Sequence, residues 1–520
     1  MAGKNILLIE PDYKNKYPPL GLMKIAQYHG PRGKRDNVRF IKGQDSSVER
    51  QSWDRIYVTT LFSFEFSRVA QTIDYALSLV RGQASRVFVG GIAASLMHER
   101  FLAEDRWSGV RIIQGLLDQA PALSLQLDSF SGELYADDVL GTPIEQLTPD
   151  YDILDQVKYK YPVSDAYFLY ASRGCIRKCH FCGVPKLEGG LKNNDSITAA
   201  VESIAALYGE KKDLIFMDNN VVASDRYKDI IAEVRALGFG AGAKITRNGR
   251  SISRRVDFNQ GVDARILCKD SSYLKEMSTI AISPLRIAFD HLGLKKPYET
   301  SIRYAHQFGL DRLSNYMLYN FHDSPADLYA RMVLNIELNE ELGIRIWSFP
   351  MRYQPTDRPD RTFIGEKWSR YELRALQLIL QATRGVVSGE PAFFRRAFGS
   401  SVSEFERLLL SPQHHIFNRE WYDSGPGSAE ADEFKSQLEA LSGEQRCELR
   451  TLLSSVDPSE FATLADKTTD HDIRALLPFY VLLQRSEERK IWKGRKRAAD
   501  VCDLAEDEIV EDAGIGEDAA

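Results

Sequence analysis

Blocks of apolar residues alternate with polar turns and amphipathic stretches over residues 1–145. Three runs are continuously apolar, as strands buried on both faces of a parallel sheet require. They read NILLIEP, RIYVTTLFSF and RVFVGGIAAS, and the runs VRFIKG and VRIIQG repeat the pattern more weakly. Between Phe64 and Val80, apolar residues recur at helical spacing. Strands interleaved with helices predict an N-terminal Rossmann-like domain of the α/β class, with a parallel sheet covered on both faces.

A second and clearer alternation begins at Ala166. Its candidate strands are AYFLYASRG, DLIFMDNN, VDFNQGVDA, LRIAFDHL, NYMLYNFHD and IRIWSFPMR. Segments with helical spacing separate them, near residues 196–208, 226–237, 270–281, 297–308 and 325–341. A complete barrel of this kind has about eight strand–helix units. We therefore expect a partial (β/α)6 barrel over residues 165–365.

Changes in composition predict the remaining boundaries. Residues 146–164 contain prolines and many tyrosines without a clear period, which is typical of a connector. Helical spacing dominates residues 366–497, so we expect a helical C-terminal region there. Residues 498–520 carry acidic but no basic side chains. Such a block of one charge sign is typical of a disordered tail.

Composition and charge limit the class of protein. With 520 residues, 43% hydrophobic and 27% charged, the chain is typical of a globular protein with more than one core. A net charge of −6 argues against a dedicated nucleic-acid binder. No run of about 18 apolar residues is present, and the start MAGKNILLIEPDY lacks the apolar core of a signal peptide. We therefore expect a cytoplasmic chain with no membrane partner, in a compartment where thiols stay reduced.

Half of the six cysteines lie in one short stretch, YASRGCIRKCHFCGVPK. Cys175, Cys179 and Cys182 are spaced C-x3-C-x2-C, and thiolates are soft ligands that suit zinc or iron–sulfur clusters. A structural zinc site is closed by a fourth ligand, and the chain offers no second C-x2-C or H-x3-H pair. A cubane cluster on three cysteines leaves one iron open, which favours catalysis. A zinc-binding interaction protein without enzymatic activity is the alternative.

The cysteine spacing, with Phe181 before the last cysteine and a strand before the loop, resembles the signature of the radical S-adenosylmethionine (SAM) superfamily. The resemblance implies a [4Fe-4S] cluster on Cys175, Cys179 and Cys182, with SAM bound at the open iron. It also implies reductive cleavage of SAM to a 5′-deoxyadenosyl radical, which abstracts a hydrogen atom from the substrate. In such a site the cofactors carry the chemistry, and the protein supplies geometry and excludes water.

Polar residues where the barrel strands end are the candidates for SAM binding, because functional residues of barrels gather there. Asp218 stands where the family holds the SAM amino group, although this chain has MDNN in place of the more frequent glycine-glycine-glutamate. The SAM-binding set implied by the resemblance is Phe181, Asp218, Asn219, Asn220, Gln260, Asp263, Arg265, Asp290 and Asn320. Each of these could instead be an ordinary capping or ion-pair residue. The sequence assigns no residue to a catalytic role beyond cofactor binding.

The N-terminal domain resembles the cobalamin-binding branch of the same superfamily. The segment YPPLGLMKIAQY is similar to the proline-proline-leucine-glycine-leucine helix start of that branch. The resemblance implies cobalamin contacts from Asp12, Thr59, Thr60, Gly90 and Gly91, although the two glycines could serve only a tight turn. With cobalamin, the implied reaction is methyl transfer to an unactivated carbon.

One departure from that branch concerns the cobalt ligand. Many cobalamin domains carry D-x-H-x-x-G, but here Lys14 stands at the histidine position and Tyr17 at the glycine. A protonated lysine cannot ligate a metal. Either cobalamin binds without a protein histidine, or the domain has kept its shape without the cofactor.

Partners follow from the same resemblance. We expect a reducing electron donor of the flavodoxin or ferredoxin type and a small-molecule or peptide substrate. The basic, glycine-rich stretch 238–255 is either a solvated loop or hairpin, or a docking patch for the acidic donor. An RNA-modifying enzyme is a further alternative, because residues 244–255 and 485–497 are basic. No RNA-binding module is recognisable in the sequence, so a nucleic-acid substrate is not favoured.

Overall fold

The structure is a computed structural model that describes residues 3–117, 144–484 and Ile491. The expectations for the acidic tail 498–520, and for the basic stretch 485–497 apart from Ile491, lie outside the described residues. The chain divides into two compact units. The described residues of Met1–Ala288, Pro297–Arg312 and Gln354–Phe363 form the first, and those of Phe289–Lys296, Leu313–Tyr353 and from Ile364 onward form the second.

A five-stranded parallel sheet forms the N-terminal part of the first unit, as the sequence predicts. Its strands are β1 (Asn5–Glu10), β2 (Asn37–Lys42), β3 (Arg55–Thr60), β4 (Val87–Gly91) and β5 (Arg111–Ile112). The strand order is β2-β1-β3-β4-β5, so the chain turns from one side of β1 to the other between β2 and β3. Ligands of such doubly wound sheets bind at this reversal, beyond the carboxyl ends of the strands.

Four helices accompany this sheet: α1 (Leu20–His29), α2 (Phe66–Leu79), α3 (Ile92–Leu96) and α4 (His98–Leu102). The apolar strand residues pack against α2, with Ile56, Val58, Val69 and Ile73 in one buried cluster. Burial of both sheet faces explains why the strands read as continuous apolar runs and do not alternate.

The rest of the first unit contains the connector region and four of the six strand segments that sequence analysis assigned to a barrel. The strands are β6 (Ala166–Leu169), β7 (Ser172–Arg173), β8 (Lys192–Asn193), β9 (Asp213–Phe216), β10 (Lys244–Arg247), β11 (Arg250–Ser253), β12 (Val256–Phe258) and β13 (Leu285–Arg286). β12, β9 and β6 form a parallel sheet in that order, and parallel bridges join Val256 to Ile282 and Val262 to Ile287. The stretch 238–255 contains an antiparallel hairpin of β10 and β11.

Helices separate these strands at the expected places. They are α5 (Val184–Leu187), α6 (Thr198–Tyr208), α7 (Tyr227–Ala236), α8 (Ala264–Leu267), α9 (Ser272–Met277) and α10 (Lys295–Gln307). The helix expected near 270–281 is shorter than predicted, and α8 precedes it. Asp263 caps α8 by accepting the backbone N–H of Arg265, and this local bond starts a helix that the apolar spacing did not indicate.

The second unit is mainly helical. Its elements are β14 (Arg312–Tyr319), α11 (Pro325–Leu342), β15 (Arg345–Arg352), α12 (Arg370–Ala382), α13 (Pro391–Phe398), α14 (Val402–Leu409), α15 (Gln413–Phe417), α16 (Arg419–Asp423), α17 (Ser428–Ala440), α18 (Gly443–Ser454) and α19 (His471–Leu476). β14 and β15 are neighbours in a sheet, and α11 connects them. A second apolar cluster, which includes Tyr371, Phe434 and Leu449, forms the core of the C-terminal helices.

The fold class is therefore mixed α/β with a helical C-terminal region. The partial six-stranded barrel stays a prediction, because the strands expected for it are described in two separate units. Among the described residues, no helix has the length and apolar character that crossing a membrane requires.

Candidate functional site

The three clustered cysteines lie in a loop that is closed at its base. β7 and β8 pair antiparallel, with Ser172 opposite Asn193 and Arg173 opposite Lys192, and residues 174–191 form the loop between them. Gly174 has φ +75°, and a Cβ placed on it would lie 2.3 Å from the carbonyl oxygen of Gly190. Only glycine fits such a crossing, so this backbone approach fixes where the cysteine loop begins and ends.

Glu188 ties the two ends of the cysteine loop to a neighbouring strand. Its carboxylate accepts the backbone N–H of Gly174 at 2.7 Å and the side-chain amide of Asn219 at 2.9 Å. The Arg173 guanidinium lies 3.5 Å from the same carboxylate. Sequence analysis missed Glu188, and the one local signal was the glycine pair that follows it. Through this residue, Asn219 at the end of β9 is held against the cysteine loop.

The three cysteines are partly buried, and the sulfur atoms of Cys175 and Cys182 accept backbone hydrogen bonds. Cys175 Sγ accepts the N–H of Arg177 at 3.3 Å, and Cys182 Sγ accepts the N–H of Val184 at 3.4 Å. Hydrogen bonds of this kind stabilise the thiolate form and are one of the means by which proteins tune cluster potentials. The loop is thus organised so that its sulfur atoms can act as ligands.

Asp263 joins the cysteine loop to the segment after β12. Its carboxylate accepts hydrogen bonds from Arg177 Nε at 2.7 Å and from Arg265 Nε at 2.8 Å. Burial alone would raise the pKa of Asp263, but the bonds from Arg265 and Arg177 lower it below its usual value. The ionised carboxylate holds Arg265, whose guanidinium also interacts with Cys179. Arg177 was not singled out from the sequence, although it lies within the cysteine motif itself.

Asp218, the predicted acceptor for the SAM ammonium, is buried and already hydrogen-bonded. One oxygen accepts the N–H of Ala171 at 2.9 Å, and the other accepts the N–H of Ser172 at 2.5 Å and its hydroxyl at 2.7 Å. These bonds position the chain just before the cysteine loop. Burial raises the pKa of Asp218 to about 6, against the lowering effect of these hydrogen bonds. The observed contacts of Asp218 are therefore structural.

Replacing Asp218 by asparagine is expected to lower the free energy of unfolding by about 1–3 kcal/mol, because the amide group would turn a donor toward backbone N–H groups. The loss should depend on pH. In the wild type the folded carboxyl has a pKa of about 6, above the value of about 3.9 in an unfolded chain. The protonated Asp218 carboxyl therefore contributes stability that is fully present below pH 4 and is lost as the pH rises through 6. The difference in free energy of unfolding between wild type and D218N should shrink between about pH 4 and pH 6.

Urea denaturation at several pH values between 4.5 and 7.5 measures this difference. Ser172→Ala is the matched control, because it removes one bond to Asp218 and keeps the carboxyl group. We expect S172A to cost about 1 kcal/mol and to keep a pH-dependent stability, because the titrating carboxyl group remains. The window should move to higher pH, since the lost Ser172 hydroxyl lowers the pKa of Asp218 in the wild type. A gap between wild type and D218N that stays constant with pH would contradict the assignment.

The other predicted SAM residues fall into two groups. Asn220 is buried and accepts the N–H of Asp263 at 3.4 Å, whereas Gln260 is exposed just after β12, and Phe181 is partly buried. Asp290 and Asn320 lie in the second unit. There the Asp290 carbonyl accepts a bond from Arg331, and Asn320, which is fully buried, bonds the backbone of Tyr353 and Gly365. The first unit brings the cysteines together with Asn219, Asn220, Asp263 and Arg265.

The residues predicted to contact cobalamin lie at the carboxyl edge of the five-stranded sheet. Thr59 pairs with Gly90, and Thr60 pairs with Gly91. The buried hydroxyl of Thr60 donates to the Gly90 carbonyl at 3.0 Å and accepts the N–H of Ala94 at 2.9 Å. Gly91 has φ +109°, and a Cβ on it would lie 2.3 Å from the Thr60 carbonyl oxygen, so glycine is required for the turn itself.

The loop after β1 holds the remaining predicted cobalamin residue. Asp12 is exposed, and its carbonyl oxygen accepts a hydrogen bond from Arg68 at the start of α2. Lys14, at the position where many cobalamin domains carry histidine, is also exposed. The side chain of Tyr13 packs edge-on against Phe62 in the loop after β3. The loops after β1 and β3 are therefore in contact, and both lie at the edge of the sheet where the strand order reverses.

The carboxyl edge of the five-stranded sheet adjoins the cysteine loop within the first unit. A Cβ on Gly183, the residue after Cys182, would lie 3.0 Å from the Leu96 side chain at the end of α3. Tyr17, from the loop after β1, donates its hydroxyl to Asn259 beyond β12 at 2.7 Å. The predicted cobalamin edge and the predicted cluster loop therefore lie next to each other in the first unit.

A buried charged network lies beside this edge. Glu10 ends β1, Lys42 ends β2, and their charged groups are 2.8 Å apart with both side chains almost fully buried. Asn15 and Tyr161 also donate hydrogen bonds to the Glu10 carboxylate. Burial raises the pKa of Glu10, although Lys42 opposes this shift. The network, which we call the Glu10 network, holds the connector residue Tyr161 against the sheet edge.

Comparisons with known proteins give limited matches. No protein-family description and no curated protein matches the sequence. Solved structures of a radical S-adenosylmethionine methyltransferase, TsrM from Kitasatospora setae, are similar to this chain. The one with tryptophan substrate and the SAM analog aza-SAM bound is 14% identical with a TM-score of 0.45, over 69% of this chain and 75% of that chain. The one with cobalamin and a [4Fe-4S] cluster bound is 13% identical with a TM-score of 0.45, over 96% of this chain and 100% of that chain.

Proposed function

We propose that this chain is a radical SAM enzyme that binds a [4Fe-4S] cluster through Cys175, Cys179 and Cys182. The observation that carries the proposal is the loop around these cysteines. Its base is closed by β7 and β8, two of its sulfur atoms accept backbone N–H groups, and no fourth cysteine belongs to it. Three thiolates held in this way suit a cubane with one open iron.

The residues of this chain have distinct positioning roles in the proposal. Glu188 joins the two ends of the cysteine loop, and Asp218 holds the chain just before it. Asp263 pairs with Arg177 of the loop and with Arg265 from the segment after β12. Gln260 is exposed at the carboxyl end of β12 and is therefore available to a ligand such as SAM. When bound, the cluster supplies the electron that cleaves SAM to the 5′-deoxyadenosyl radical, and cobalamin supplies a methyl carrier.

Cobalamin-dependent methyl transfer is the finer part of the proposal. It is supported by the contact between the cysteine loop and the carboxyl edge of the five-stranded sheet. The exposed Lys14 replaces the family's histidine, so we propose cobalamin binding without a protein imidazole on cobalt. The substrate is proposed to be a small molecule or peptide, and the reductant a flavodoxin or ferredoxin.

Product analysis tests this function. Protein reconstituted without air should hold about four iron and four sulfide ions per chain. With dithionite and SAM it should release 5′-deoxyadenosine, and S-adenosylhomocysteine as well if cobalamin-dependent methyl transfer occurs. A cobalamin absorption spectrum in protein made with added cobalamin separates methyl transfer from plain hydrogen abstraction. Colourless protein that holds zinc and no iron would overturn the proposal.

Replacing Arg265 by glutamine is expected to lower the midpoint potential of the cluster. The guanidinium interacts with Cys179, and a positive charge beside a cluster sulfur stabilises the reduced form. Spectroelectrochemical titration measures the potential in wild type and R265Q. The control is Arg303→Gln, which removes an arginine paired with Glu299 on α10. Equal shifts in R265Q and R303Q would contradict a specific role for Arg265.

A further inference from the structure

Two histidines and a glutamate converge in the helical second unit, where neither the cysteine motif nor the proposed reaction assigns a role. They are His414 and His415 on α15 and Glu430 on α17. Their ligand atoms all lie within 4.8 Å of one another, and no other such group of three occurs among the described parts of the chain. The chemistry of the group is two imidazole nitrogens and one carboxylate oxygen.

The distances match the edges of a metal coordination shell. His415 Nε2 lies 3.3 Å and His414 Nε2 lies 3.6 Å from the same oxygen, Glu430 Oε1. A tetrahedral zinc ion with bonds of about 2.0–2.1 Å places neighbouring ligand atoms about 3.3 Å apart. A direct N–H···O hydrogen bond is most often about 2.9 Å long. Both contacts are longer than that and close to the tetrahedral edge.

The convergence of consecutive histidines is unusual for a helix. Successive residues of an α-helix point about 100° apart, so neighbours do not normally meet at one atom. Here α15 is a single short turn that ends at Phe417, and both Nε2 atoms still lie near one carboxylate. This arrangement favours a shared ligand over two independent surface contacts.

The surrounding side chains hold the imidazole rings in place. Tyr422 packs on the His415 ring at 4.1 Å between centroids and on the His414 ring at 5.4 Å. Phe434 meets the His415 ring edge-on at 5.6 Å. Both histidine side chains are nearly buried, whereas Glu430 is 46% exposed and leaves a path for an ion from solvent. Ligands fixed by packing, with an entry path, are what a metal site requires.

We propose that His414, His415 and Glu430 form a binding site for a divalent transition-metal ion, with zinc as the preferred class. Imidazole and carboxylate ligands suit zinc, and three protein ligands leave a fourth position for water. The ion would tie α15 to α17 across the segment 418–427. This inference is independent of the proposed function, because the site shares no residue with the cysteine loop.

Equilibrium dialysis against zinc chloride tests the site in the full chain, made without a polyhistidine tag and with its iron–sulfur cluster reconstituted. We expect about one zinc ion per chain in the wild type. Glu430→Gln should weaken binding at least about tenfold, since even outer-shell substitutions cost about 10–100-fold. Asp432→Asn is the matched control, because it removes a carboxylate from the exposed face of the same helix and should bind like the wild type.

Cobalt(II) distinguishes this site from the cysteines. In the full chain with Cys175, Cys179 and Cys182 all replaced by alanine, bound cobalt should give d–d absorption without thiolate charge transfer, and His414→Gln should remove it. Circular dichroism of E430Q and H414Q confirms that each variant is folded. Zinc binding that is equal in wild type and folded E430Q, or no zinc binding at all, would overturn the proposal and would leave the proposed SAM chemistry untouched.

Discussion

Replacing Cys175, Cys179 or Cys182 by alanine, one at a time, is expected to abolish 5′-deoxyadenosine formation. Each variant removes one of the thiolates that the cysteine loop presents, and the chain has no neighbouring cysteine in that loop to replace it. Substitutions outside the ligand shell typically cost about 10–100-fold, so loss of a ligand should exceed that range. Iron and sulfide per chain should fall together with the activity.

A matched control lies on the surface of the second unit. Cys447 is exposed on α18, so Cys447→Ala should keep the cluster, its brown colour and the reductive cleavage of SAM. The measurement is chromatography of 5′-deoxyadenosine after reaction with dithionite and SAM. A cysteine-loop variant that keeps both the iron content and the activity of C447A would contradict the ligand assignment.

Replacing Lys42 by methionine is expected to lower the free energy of unfolding by about 3–5 kcal/mol. Lys42 is the charged partner of Glu10, which is 1% exposed, and its loss leaves a buried carboxylate without a compensating charge. Burial already raises the pKa of Glu10. Without Lys42 this pKa should rise further, so K42M should lose more stability as the pH increases through that pKa.

The double variant tests whether the cost arises from the unpaired charge. Adding Glu10→Gln to K42M removes the carboxylate and should recover part of the lost stability, because a neutral pair is tolerated better than one buried charge. Arg106→Met is the surface control: the exposed Arg106–Asp74 ion pair should contribute about 0–1 kcal/mol. Urea denaturation measures all four proteins. A K42M cost no larger than that of R106M would contradict the account of the Glu10 network.

The N-terminal sheet could be predicted from sequence because burial leaves a simple signal. Ile6, Leu7, Leu8 and Ile9 are all fully buried, so β1 reads as an unbroken apolar run. α11 was also predicted closely, from apolar residues at helical spacing near 325–341. In the structure a capping box at Ser324 begins it and a left-handed glycine, Gly343, follows it. These signals are local in sequence, and each is strong enough to decide its element alone.

The closure of the cysteine loop could not be predicted in the same way. β7 and β8 contain two residues each, which is too short for a hydrophobic period. The role of Glu188 depends on the crossing of Gly174 and Gly190, which joins residues far apart along the chain. The cysteine motif therefore indicated the proposed ligands, but the groups that hold their loop become visible only in three dimensions.

The same limit applies to the proposed metal site and to Asp218. Glu430 follows the two histidines only after another helix, so no short spacing motif indicates the group. Asp218 was singled out by its place after a strand, and that place is correct. Its contacts are with backbone N–H groups of residues 171 and 172, which a sequence pattern does not distinguish from ligand contacts.

Electron paramagnetic resonance of the reduced protein, recorded with and without SAM, tests the central claim most directly. The claim is that three cysteines hold the cluster and leave one iron open to SAM. We predict the signal of a reduced [4Fe-4S] cluster. Its shape should change when SAM is added and should stay unchanged when the same volume of buffer without SAM is added. A reduced cluster that gives the same signal in the presence and absence of saturating SAM would contradict it.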